Sequence, residues 1–147
     1  MSLAVDVSAS DVRVPLARER VADLARGVLR AERVRDALLS IAFVSSAEIT
    51  KLNQRHLGRR RPTDVIAFGF DRTAARGPVI GDIYIAPEVA RDNARRHGAG
   101  VREELARLIV HGTLHVLGHD HPDENRTASP MWNRQERLLT RLYGGHA

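Results

Sequence analysis

Residues Val101–His121 read VREELARLIVHGTLHVLGHDH. The first seventeen residues form the strongest helical segment in the chain, Val101 to Leu117. Glu103 and Glu104 suit its electropositive N-terminal end, and Gly118 is a natural residue for the turn that stops it. The stretches on either side fall into place around this helix. Upstream, Pro87 opens a shorter helix that stops at Gly98. Downstream, a polar stretch to Ser129 precedes a last helix from about Pro130 to Leu142.

Strands are confined to the first part of the chain. Leu3, Val5 and Val7 alternate, as do Leu39, Ile41 and Phe43, which is the period of a half-buried strand. Val65 to Phe70 and Ile80 to Ala86 read as two further strands, separated by a loop from Asp71 to Pro78. Between the first two strands, Val21, Leu24, Ala25, Val28 and Leu29 recur at helical spacing, predicting a helix from Pro15 to about Arg30. Ser45-Ser46-Ala47-Glu48 has the form of a capping box. It opens a short helix with Ile49 and Leu52 inward, ending before Gly58. The order β-α-β-α-β-β-α-α-α predicts an α+β (α/β sandwich) domain, with a mixed four-stranded sheet and about five helices rather than regular parallel alternation.

The chain has 147 residues, 43% apolar and 28% charged, which predicts a single globular domain over residues 1–147. It has no cysteine, so disulfides and cysteine-ligated metals are excluded. No apolar run approaches the roughly 18 residues a membrane span needs. The N-terminus, with Asp6 and no basic segment, does not read as a signal peptide. A cytoplasmic location without membrane association is expected. Basic residues number 23 against 18 acidic, a net charge of +5. Lys51 is the single lysine beside 22 arginines. A biased genome composition would account for the arginine preference, but the net positive charge permits a polyanionic partner.

Four of the seven histidines, His111, His115, His119 and His121, fall within eleven residues, where an even distribution would place about half of one. His111 and His115 are four apart on a helix, so their rings share a face. After the turn at Gly118, either His119 or His121 can reach back as a third ligand. Three imidazoles with an open fourth position is the pattern of a catalytic zinc. A structural zinc would instead recruit His119, Asp120 or Asp123 as a fourth ligand. Gly112 stands where HExxH hydrolases carry their glutamate base, which argues against a peptidase of that type. Glycine inside a helix costs about 1 kcal/mol relative to alanine. Its presence implies a close approach at Gly112, by a strand backbone or a substrate. Asp82, read as a strand-entry residue, is a candidate anchor for the metal loop or for an arginine.

The stretch from His111 to His121 resembles the signature of the YbeY family, bacterial ribosomal RNA maturation factors described as metal-dependent endoribonucleases. The resemblance extends to Leu52-Asn53, to Pro62-Thr63-Asp64-Val65-Ile66-Ala67-Phe68, to Ile80-Gly81-Asp82-Ile83-Tyr84-Ile85-Ala86, and to Met131 and Glu136. It implies a zincin-like core and a single zinc ion held by His111, His115 and His121, with His119 outside the ligand set. It further implies single-strand endoribonuclease activity in 16S rRNA 3′-end maturation and ribosome quality control. The expected partners are single-stranded RNA and the ribosome or its 30S subunit, not DNA. The chain departs from the family pattern at Leu57, where an arginine is usual, and at Ala67, where a serine is.

Arg59, then Arg55, are the candidate cations for the charge that develops on a phosphate under attack. Asp120 is a candidate for orienting a ligand histidine, stabilising the turn or transferring a proton. Arg55, Arg59, Arg60 and Arg61 are candidate RNA-backbone contacts, the alternative being a solvated loop. Two other functions compete: a non-catalytic ribosome-binding factor whose zinc is structural, consistent with Leu57, and a metal-dependent hydrolase of another substrate.

Overall fold

The computed structural model describes residues 2–58, 63–70, 77–119 and 129–144. Four strands and five helices run in the order β1 (Leu3–Ala9), α1 (Arg18–Ala31), β2 (Ala37–Phe43), α2 (Ser46–Leu57), β3 (Val65–Phe70), β4 (Val79–Ile85), α3 (Pro87–Arg96), α4 (Val101–Val116) and α5 (Pro130–Leu142). The class and element order agree with the sequence reading. The sheet order is β1-β2-β4-β3. β1, β2 and β4 are mutually parallel, and β3 runs antiparallel on the edge beside β4. Two parallel pairings require crossovers, which α1 and the α2–β3 segment supply.

Alternation along the strands divides the sheet into two faces. Leu39, Ile41, Phe43, Ile83 and Ile85 are fully or almost fully buried and join the main core with α1 and α4. The predicted inner face of α1, from Val21 to Leu29, lies in that core. A smaller cluster on the opposite face joins Ile49 and Leu52 of α2 to Ile66 of β3 and to Val44 and Ala86.

Three local expectations are corrected. α1 begins at Arg18, not Pro15: Ala17 is its extended N-cap, and the Pro15 carbonyl accepts from Arg102 Nε at 2.9 Å. Only half of the capping box forms at α2. Ser45 Oγ accepts from the Glu48 N–H at 3.1 Å, but no bond runs back from the Ser45 N–H to the Glu48 carboxylate among the described residues; the next N–H, that of Ser46, donates to Glu88 at the start of α3. Asp82 lies within β4 rather than at its entry, opposite Phe68 in register and on the sheet face turned away from α4.

α4 packs against β3, β4, α1, α3 and α5, and glycines set its distance from the sheet. A Cβ on Gly69 would lie 2.6 Å from the Val116 carbonyl oxygen, and one on Gly81 would collide with a Val116 methyl. From the helix side, a Cβ on Gly112 would meet Ile83 Cγ2 at 2.8 Å. The close approach expected at Gly112 is thus made by a strand side chain. Gly69→Ala should cost about 1–3 kcal/mol, the range for overpacking a tight contact, because a backbone carbonyl cannot move aside as a side chain can. Gly112→Ala recovers about 1 kcal/mol of helix propensity and should cost less. Urea unfolding of the two variants checks that order.

Candidate metal centre and cleft

His111 and His115 stand on the C-terminal half of α4, above β4. Their ring centroids are 4.9 Å apart and the rings are inclined at 64°. The helix therefore brings the predicted pair together. His111 is 8% exposed, and its Nδ1 lies 2.6 Å from Oε1 of the buried Gln135 on α5. Among the described residues, no group of three potential metal-ligating side chains gathers. His121, the third predicted ligand, lies outside the described residues, as do Asp120, Arg59, Arg60 and Arg61. Arg55 is exposed on the last turn of α2.

The helix ends as the glycine predicts. Gly118 adopts a left-handed φ of 98°. Its N–H donates to the His115 carbonyl at 2.9 Å, and the His119 N–H donates to the Leu114 carbonyl at 3.0 Å. This Schellman pairing satisfies carbonyls that the helix leaves open and reverses the chain. His119 is thereby carried to the end of α1, where its Nε2 meets Glu32 Oε1 at 2.5 Å. The other Glu32 oxygen accepts from Arg134 Nη2 at 2.8 Å and Nε at 3.0 Å. Arg134 also reaches the Ala31 carbonyl at 3.3 Å.

Glu32 is the C-cap of α1, at the negative end of the helix, where a carboxylate is disfavoured. Burial would raise its pKa, but the hydrogen bonds and charges of Arg134 and His119 outweigh it and hold the carboxyl below its ordinary value. Glu32, His119 and Arg134 thus clamp α1, α5 and the reversed segment together. Glu32 and His119 border a cleft of about 510 Å³ that His115, Gly69, Phe70 and Gly118 also line. Neither Gln135 nor Glu32 was a sequence-derived candidate: both contacts cross long stretches of chain, and no local motif announces them.

The fold and site define a small α+β domain that presents two imidazoles from one helix beside an open cleft. Comparison with known proteins places that domain. The sequence model of the family described as Endoribonuclease YbeY matches residues 6–143. Endoribonuclease YbeY of Bacillus licheniformis is 36% identical, over 98% of this chain and 97% of its own length. That of Thermobifida fusca is 37% identical, over 93% and 92%. The solution structure of TM1509 from Thermotoga maritima shares the fold, with a TM-score of 0.63 and 24% identity over 96% of this chain and 90% of that one. The chain belongs to the YbeY endoribonuclease family.

The lowered Glu32 pKa links stability to acidity. Its contribution is fully present above the ordinary carboxylate value of about 4.5 and is lost as pH falls through the lower folded value. The gap in unfolding free energy between wild type and Glu32→Gln, both metal-free, should therefore be wider at pH 6 than at pH 3. An equal gap at both pH values would show that the clamp does not depend on the carboxylate charge.

Proposed function

We propose that this chain is a zinc-dependent single-strand endoribonuclease that acts in 16S rRNA 3′-end maturation and ribosome quality control. The facing His111–His115 pair carries the reading. Two imidazoles on one helix, one of them tethered through its Nδ1, fit the donor chemistry of a zinc site that is completed by a third histidine. His121 is that third ligand by family resemblance. A zinc ion held there would supply Lewis-acid and water-activating chemistry.

The chain's own groups have separable tasks. His111 and His115 hold the metal, and His115 does so at the wall of the cleft, where a phosphodiester would enter. The net charge of +5 favours a polyanionic substrate. Arg55, Arg59, Arg60 and Arg61 grip the RNA backbone, and Arg59 or Arg55 stabilises the phosphate charge in place of the arginine that Leu57 lacks. Asp120 orients a ligand histidine. The expected setting is the cytoplasm, with the ribosome or 30S subunit as partner and without DNA. No helix among the described residues is long and apolar enough to cross a membrane.

The deciding experiment is cleavage of a single-stranded RNA covering the small-subunit rRNA 3′ end, with wild type and His115→Ala purified side by side. Wild type should carry stoichiometric zinc and cut. His115→Ala should lose both properties. Equal cleavage by the two would identify a contaminant. No cleavage by either, with zinc in wild type alone, would favour the non-catalytic ribosome-binding factor, with Leu57 as the reason. The arginine segment is tested separately. Replacing Arg59, Arg60 and Arg61 with Glu should weaken RNA binding and reduce the slope of log affinity on log salt by about 2, given about 0.7 per single-strand phosphate contact. Unchanged binding at low salt would exclude the segment.

A further inference from the structure

Gln135 is 1% exposed, and both ends of its amide are engaged. Its Nε2 donates to Glu136 Oε2 at 3.0 Å, and its Oε1 faces His111 Nδ1 at 2.6 Å. Arg107 of α4 donates to the same Glu136 carboxylate, from Nε at 3.0 Å and from Nη2 at 3.2 Å. Arg107 is fixed in turn by its α4 neighbours Glu103 and Glu104, at 3.9 and 3.7 Å. Burial works against the guanidinium charge, but the carboxylates around it, Glu136 foremost, outweigh burial and raise its pKa.

Hydrogen-bond chemistry gives this chain one direction. A guanidinium only donates, and an ionised carboxylate only accepts. Glu136, paired with Arg107, must therefore take the amide NH2 of Gln135. That turns the amide oxygen toward His111. An amide oxygen only accepts, so Nδ1 of His111 must bear the proton. In a neutral imidazole the other nitrogen, Nε2, then carries the lone pair. Without Glu136 the amide could be reversed, offering NH2 to Nδ1 and moving the proton to Nε2, the form that cannot bind a metal through that atom.

We propose that Gln135 is a positioning residue. Oriented by Glu136 and Arg107, it fixes His111 in the Nδ1–H tautomer and reserves Nε2 for the metal. The proposal deepens the metalloenzyme reading and rests on it. It also accounts for a buried amide on a helix whose other buried side chains there, Met131, Leu138 and Leu139, are apolar. The relay joins α4 to α5, so the ligand's proton is set by a helix that itself supplies none of the proposed ligands.

The test reads the proton directly. Long-range nitrogen–proton NMR of the metal-free protein, with His111 assigned by comparison with His111→Ala, should show Nδ1–H in wild type. Gln135→Leu should shift His111 toward Nε2–H and weaken zinc binding, measured against a chromophoric competitor, by about 10–100-fold. Glu136→Gln is the second variant. It leaves Gln135 in place and removes only what orients it, so it should give mixed tautomers and a smaller loss of affinity, even if Gln135→Leu fails to fold. A general packing role would lower the melting temperature of both variants without changing the tautomer. Nε2–H in wild type, or zinc affinity unchanged in a folded Gln135→Leu or in Glu136→Gln, would overturn the proposal. A wild type with Nδ1–H that binds no zinc would remove the metal reading, and the relay's purpose with it, a failure distinct from a wrong tautomer.

Discussion

The distance between α4 and the sheet is the constraint on which the rest depends. Gly69 and Gly81 leave the strands bare beneath Val116, and Gly112 leaves the helix bare above Ile83. Helix and strands therefore meet more closely than side chains on either partner would allow. This seats the C-terminal half of α4, with both of its histidines, on β3 and β4. It also places the helix end next to the edge strand, so that the cleft is bounded by β3 on one side and by the reversed chain on the other.

Two polar chains then fix what the packing has placed. Glu32 ties the reversed segment to α1 and α5 through His119 and Arg134. Gln135 and Glu136 tie His111 to α5 and back to Arg107. Both depend on a carboxylate paired with an arginine, and both engage a histidine at the far end. An arginine fork gives a carboxylate a fixed orientation that a lysine would not. The arginine excess of this composition thus has structural uses in addition to any contact with RNA.

The fold was largely legible because its signals are local. Periodicity located β1, β2 and α1, capping, proline and glycine signals located α2 and α3, Gly118 located the end of α4, and the four-residue spacing of His111 and His115 placed their rings on one face. The family motif supplied the rest of the functional reading. What escaped was non-local. Nothing in the segments themselves says that β4 inserts between β2 and β3. Asp82 was read as a strand-entry residue, yet it lies inside β4, and alternation with Gly81 and Ile83, which face α4, turns it to the other side of the sheet. Pro15 looked like a helix start, yet its carbonyl serves Arg102 and α1 begins three residues later. Gln135 reads as one more surface position on an amphipathic helix, and only the packed structure shows it buried against His111. The expected third ligand, His121, and the Arg59–Arg61 segment lie outside the described residues.

The placement of Gln135 has a consequence for biosynthesis. The imidazoles are on α4, but the amide that governs one of them belongs to the last helix of the fold. A ribosome makes the chain from its N-terminus, so β1, α1 and β2 emerge well before either histidine, and α5 emerges last. The nascent protein therefore passes through a stage in which both imidazoles have been synthesised while His111 still lacks its acceptor. For a protein of an RNA-cutting family, that order delays a fully formed centre until α5 has been made and packed against α4.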